Sequence, residues 1–297
     1  MLAQVFTSIF SIKDLRKKII ATLLLVLVYK FLSVIPIPGV NTDGLWAIID
    51  GQRWLAFFSA LMGWGLENFS IILMGLSPYI NAVIIIQLLG VIIPKLGDMQ
   101  KEGEQGQRKI TKMTRWLTLP IAFLQSYGMI VLLNSLAQGS IIDVTNMQTM
   151  LMAMTIATAG TIFLMWLGEV MTEYGISNGI SIIIMAGVLS ATPGVIMGYI
   201  NSAQYPLFAG LFIATLVIIY IIIKFTEGHR RIPIIYAKTG GEEKSYFPIK
   251  VNQAGMIPII FSISIVTFPA ILGQILSNSN GETASNVWTI LLQYFSL

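Results

Sequence analysis

Seven apolar stretches constrain this chain more than any other feature: residues 19–35, 69–93, 116–136, 149–168, 179–199, 206–225 and 256–276. Each approaches the roughly 20 residues that an α-helix needs to cross the hydrocarbon core of a bilayer. In that solvent a segment must satisfy its own backbone hydrogen bonds, and single stretches of this length do so as helices. The expected fold class is therefore an all-α polytopic membrane protein. Composition agrees, with 11% of residues charged against roughly a quarter in soluble domains. The first stretch stops at "IPIPG", where two prolines end any helix. It follows Lys13, Arg16, Lys17 and Lys18 without a small-residue cleavage site, and so reads as a retained span rather than a signal peptide.

Seven spans leave eight flanking segments on alternating sides. Segments 1–18, 94–115, 169–178 and 226–255, with Lys224 at the membrane edge, hold 16 of the 18 Lys and Arg residues. The other side has only Arg53, and Lys30 lies within the first span, where snorkelling to the headgroups is expected. The positive-inside rule then makes the N-terminus cytoplasmic and places the end of this chain outside. Setting orientation is one sufficient reason for these basic loops, whatever else they do. With no cysteine and a single histidine, His229, the chain has no thiolate chemistry and no multi-histidine metal site, which leaves only carboxylates to hold a hard cation.

The second span is expensive for a membrane helix. "MGLSPYINAVIIIQLL", Met74 to Leu89, carries Gly75, Ser77 and Pro78 near its start, then Asn81 and Gln87. Such breaks survive in lipid only where neighbours or a water-lined cavity satisfy the freed backbone groups. "GLSPYI" (75–80) is echoed by "GMIPII" (255–260), each fitting Gly-x-x-Pro-x-Ile in oppositely directed spans. An inverted repeat with its functional site between the halves predicts such a pair, although three identities in six positions are equally what chance similarity between proline-bearing membrane helices gives. The helix breaks are thus Gly75, Pro78, Gly255 and Pro258. At about 100° per residue, Leu76, Ile80 and Gln87 share one face, with Gln87 roughly 10 Å nearer the cytoplasm than Ile80. Asn81 points elsewhere, as for an interhelical hydrogen bond. Upstream, the apolar run Trp54 to Trp64 is too short to cross. It suits either a re-entrant helix or one lying at the surface.

Several long motifs carry a family resemblance. "GLSPYINAVIIIQLL", "KEGEQGQRKITKMTRW", "MWLGEVMTEYGISNGISIIIMAGV", "GHRRIPIIYAK" and "PIKVNQAGMIPIIF" resemble the SecY family, channel subunits of the bacterial protein-conducting translocon, collinearly from residue 13 to about 275. The resemblance implies a ten-helix channel of two inverted five-helix halves in the plasma (inner) membrane. Its expected partners are SecE, SecG, the SecA motor, the ribosome, signal sequences and unfolded polypeptides, all working amid membrane lipid. It implies a pore ring at Leu76, Ile80, Ile180, Ile184 and Ile260, and a plug at about 53–65 with Trp54, Phe57, Phe58, Leu61, Met62 and Gly63. The implied lateral gate comprises Asn81, Ile84, Ser264 and Thr267. Gln87 is expected in the inner funnel, and a ribosome or SecA docking loop at Arg230, Arg231 and Lys238.

The implied organisation is a cytoplasmic N-terminus (1–18) and a first half-bundle (19–205). A partial second half (206–297) would hold the docking loop (226–255) and an apolar stub from Asn286. Against the family pattern the chain looks truncated after the seventh helix. Trp64 separates the usual glycine pair, Leu76 stands for isoleucine, His229 for glutamine, and Thr239 for a basic residue. No cofactor or catalytic residue is expected, since there is no phosphate-binding loop, H-E-x-x-H or G-x-S-x-G. Energy would come from a partner ATPase or from translation. The rival reading is a secondary transporter for a small solute, which needs ionisable groups at mid-membrane. Glu169 and Glu173 fall instead at the cytoplasmic edge of the fourth span.

Overall fold

The computed structural model describes residues 12–40, 68–136, 142, 146–201, 205–234 and 245–252. The chain divides at Pro193 into two compact units. The first contains α1 (Lys13–Val34), α2 (Ser77–Ile92), α3 (Pro94–Lys101), α4 (Glu104–Leu136), α5 (Met147–Tyr174) and most of α6 (Gly179–Asn201). The second contains the end of α6, then α7 (Tyr205–Glu227) and a hairpin of β1 (His229–Ile234) with β2 (Ser245–Lys250).

Apolar composition places most helices close to their expected stretches, but the second span differs. Residues 71–76 form turns, and α2 begins only at Ser77. Gly75 has φ +53°, a left-handed conformation that interrupts a helix, and Pro78 sits in the first turn. There its missing N–H costs nothing and its fixed φ suits helix entry. Gly75 and Pro78 therefore start a helix and do not break one. At the other end α2 and α3 meet at Ile93, bent by 107°, with Pro94 opening α3.

At 33 residues, α4 is about 50 Å long, against a hydrocarbon core of about 30 Å. Its excess length lifts Arg108, Lys109 and Lys112 clear of the apolar segment. Helices α5, α6 and α7 are each long and apolar enough to cross a membrane, and the bent α2–α3 pair adds up to a fourth span. The segments 19–35 and 116–136 lie within α1 and α4.

In the first unit α4 packs on α2 and α5, and α1 packs on α5. One core cluster joins Ile37, Phe69, Leu73 and Met74 to Met129, Ile130 and Leu133 of α4 and to Met150, Met154 and Ala157 of α5. Buried threonines direct their hydroxyls to the carbonyl one turn back: Thr114 to Ile110, Thr118 to Thr114, Thr158 to Met154 and Thr161 to Ala157. Each hydroxyl is thereby satisfied without a partner helix. The outward side chains of α1, among them Leu23, Leu27 and Phe31, are exposed and apolar, as a lipid solvent allows.

In the second unit α7 buries none of its described side chains, and Lys224 lies over the Tyr220 ring at 5.7 Å. The hairpin holds the two named β-strands among the described residues, an addition to the all-helical expectation. Its strands pair antiparallel from His229 opposite Lys250 to Ile234 opposite Ser245. "HRRIPI" and "SYFPIK" mix β-branched and aromatic residues, which favour strands. With only two strands both are edges, the place where Pro233 and Pro248 are tolerated.

Candidate functional site

A second core cluster brings together the aliphatic residues expected around a pore. Leu76 is a buried member, and Ile80, Ile180 and Ile184 are half-buried against it, together with Tyr29, Ile72, Leu164, Leu167, Met171 and Ile183. All four expected ring residues within the described part thus share one apolar neighbourhood. They enter it from the beginnings of two helices, α2 and α6.

Local chemistry fixes both helix starts. Leu76 is the N-cap of α2, and its carbonyl accepts the Ile80 N–H at 3.0 Å, setting the two side chains one turn apart. At α6, Asn178 Oδ1 accepts the N–H groups of Ile180 (3.1 Å) and Ser181 (3.4 Å). This is the use of asparagine as an N-cap, satisfying donors that lack an intrahelical partner. Thr172 of α5 ties the start of α6 to its predecessor: its Oγ1 accepts the Gly179 N–H at 2.8 Å while its hydroxyl donates to the Gly168 carbonyl at 2.8 Å. Gly179 must be glycine, because a Cβ there would strike the Gly168 carbonyl and the Met171 side chain. Ile180 and Ile184 therefore lie against α5 by construction of the turn.

The sequence assigns α1 no role in this region, yet Tyr29, Leu25, Val28 and Leu32 pack into it. Uniform apolarity carries no signal of which face turns inward. Thr172 and Asn178 are further positioning residues, of which only Asn178 has a sequence signal, "SNG" before an apolar run being a recognisable helix start.

The polar residues of α2 part company. Gln87 is exposed, while Ile84 and Asn81 are buried. The Asn81 Nδ2 has no hydrogen-bond partner, so the expected interhelical hydrogen bond is not formed by that nitrogen. On β1, Arg230 is exposed, and the backbone of Arg231 pairs opposite Pro248. Ile260, Gly255, Pro258, Ser264, Thr267, Lys238 and the plug positions Trp54, Phe57, Phe58, Leu61, Met62 and Gly63 lie outside the described residues.

Beside this region Arg115 of α4 meets Glu169 of α5 as a fork, Nε to Oε1 at 2.8 Å and Nη2 to Oε2 at 2.7 Å. Paired planar groups make this the strong form of a charge-assisted bond, but Arg115 is half-exposed, and water screens it. A double-mutant cycle with Arg115→Gln and Glu169→Gln should give a coupling of about 0.5–1 kcal/mol, the upper range for exposed pairs. A coupling of zero in unfolding measurements would show that the fork does not tie α4 to α5.

The helical bundle shares its fold with solved protein-conducting channels. One solved structure of a protein-conducting channel aligns with a TM-score of 0.62 at 18% identity, covering 90% of this chain and 60% of that one. A second, of a SecY protein whose plug domain stabilises the closed state of its translocation channel, aligns with a TM-score of 0.67 at 19% identity, covering 90% and 59%. The SecY family model matches residues 70–297, and the chain belongs to the SecY family. Protein translocase subunit SecY of Streptococcus gordonii is 37% identical over 287 residues, covering 92% of this chain and 66% of that protein. The Bacillus subtilis counterpart is 40% identical over 279 residues, covering 87% and 64%. The chain thus spans about two thirds of the length of the curated relatives it matches.

Proposed function

We propose that this chain is the central subunit of a protein-conducting channel in the bacterial inner membrane, passing unfolded secretory polypeptides and needing no chemistry of its own. The observation that carries the reading is the convergence of Leu76, Ile80, Ile180 and Ile184 in one apolar cluster. Aliphatic side chains bind no particular sequence, deform around a passing chain and disfavour a continuous water column when closed, the basis of hydrophobic gating. Ile260 would complete the ring from the second half, and Gln87 would wet the inner funnel.

In this reading the N-terminus is cytoplasmic, SecE and SecG are neighbours, and membrane segments leave past Asn81 and Ile84 on one wall and Ser264 and Thr267 on the other. Arg230, Arg231 and Lys238 would meet SecA or ribosomal RNA phosphates, where basic side chains gain by counterion release. Family membership leaves the small-solute transporter without support.

The test exploits the absence of native cysteine. Cysteine at Ile80, in the chain assembled with its partners, should crosslink to a cysteine in a stalled secretory polypeptide. Cysteine at Leu23, exposed on the outward face of α1, should not. Crosslinking at Leu23 but never at Ile80 would remove the pore from this cluster.

A further inference from the structure

Between α1 and α2 the chain passes through a narrow neck. The Ile37 N–H donates to the Phe69 carbonyl at 2.9 Å, and the Ile71 N–H to the Ile35 carbonyl at 3.0 Å. Pro36 and Ser70 therefore face each other as an antiparallel bridge, in the pairing whose own N–H groups are not exchanged. Asn68 Nδ2 adds a bond to the Ser33 carbonyl at 3.3 Å. The neck is also seated in the core: Phe69 and Ile37 are fully buried, and the Ile71 carbonyl lies on α5 at Gly160.

We infer that this neck is a static tie that stays closed through every working state of the protein. It holds the start of α2, and with it Leu76 and Ile80, fixed relative to α1 and α5. Rearrangements that admit a substrate take place elsewhere. The inference rests on the channel reading, which requires a pore that widens.

Two features make opening costly, and they outweigh the strain that Phe69 stores at φ +44°, a conformation that a bulky residue keeps only where its surroundings over-determine it. Separating the two segments would strand backbone donors and acceptors, which are seldom left unpaired. Parting the strands would also draw Phe69 and Ile37 away from Leu73, Met74 and Ile130, their neighbours in the core cluster.

The test is a disulfide across the bridge, Pro36→Cys with Ser70→Cys, in a chain with no other thiol. Facing residues of this kind have Cα atoms about 4.5 Å apart, within the range a disulfide spans. Pro36 is exposed, and the buried Ser70 hydroxyl has no hydrogen-bond partner to lose. Oxidation in vesicles carrying the assembled channel should link the pair, with secretory transport staying within about twofold of the reduced protein, the scatter of a neutral substitution. Failure to link, or a loss of about tenfold or more that reductant reverses, would overturn the tie.

Amide exchange on the unmodified chain in lipid decides the matter independently of transport. Ile37 and Ile71 amides as protected as those of α5, with and without substrate, support the tie, and exchange at loop rates overturns it. If the unmodified chain transports nothing, the channel reading falls, and the exchange result alone judges the neck.

Discussion

Ile80→Asp should make vesicles containing the assembled channel leak small ions at least about tenfold faster than the parent, because a hydrophobic constriction holds back ions by staying dry. Ile80 is half-buried within the cluster formed by Leu76, Leu164, Leu167 and Ile183. A carboxylate there brings its hydration shell with it, since an unpaired ion in apolar surroundings is strongly disfavoured. Water then bridges the gap, and ions follow. Ile80→Leu keeps the volume and the apolarity and should leave the leak unchanged. Ion flux into dye-loaded vesicles separates the two. Equal flux for the aspartate and leucine variants would mean that Ile80 does not line the conducting path.

Gly160→Leu should prevent the first unit from folding stably, with Gly160→Ala already costing about 1–3 kcal/mol, the range for overpacking a close-packed interior. The Ile71 carbonyl lies where a Cβ at position 160 would be, with the Ile71 Cγ2 also within 3.2 Å. A collision with backbone is not relieved by changing a rotamer. Ile71 is itself held by its N–H bond to Ile35, so the loop cannot withdraw without breaking the neck. Gly210 of α7 supplies the contrast, as nothing lies within 4 Å of a Cβ built there. Gly210→Ala should be neutral or stabilise by up to about 1 kcal/mol through helix propensity and a less flexible unfolded chain. Denaturant unfolding in detergent measures all three variants. A neutral Gly160→Ala would show that α5 and the neck do not touch.

These expectations differ in how far the sequence could have supplied them. Leu76, Ile80, Ile180 and Ile184 were nameable only through the family resemblance that motifs such as "GLSPYI" and "GISNGISIII" carry, and the structure gathers them in one cluster. That the second span would be only partly helical was half-visible, since Gly75 and Pro78 mark a disturbance. Their spacing alone does not say whether the chain kinks within a helix or begins one. The left-handed Gly75 backbone and the position of Pro78 in the first turn decide for a beginning.

By itself the sequence determined the solvent and the number and approximate limits of the apolar segments, and it set an expectation for the side of the basic loops. Hydropathy and charge are sums of transfer free energies over neighbouring residues, and such sums are local in the chain. Only the tertiary structure decided which face of α1 turns inward, that Arg115 closes a fork on Glu169, and that residues 35–37 pair with 69–71. Those outcomes depend on groups distant in sequence meeting at one place, and in the neck on the absence of a single Cβ at Gly160. The glycine itself is visible in the sequence, but composition and periodicity do not say which distant backbone will press against it.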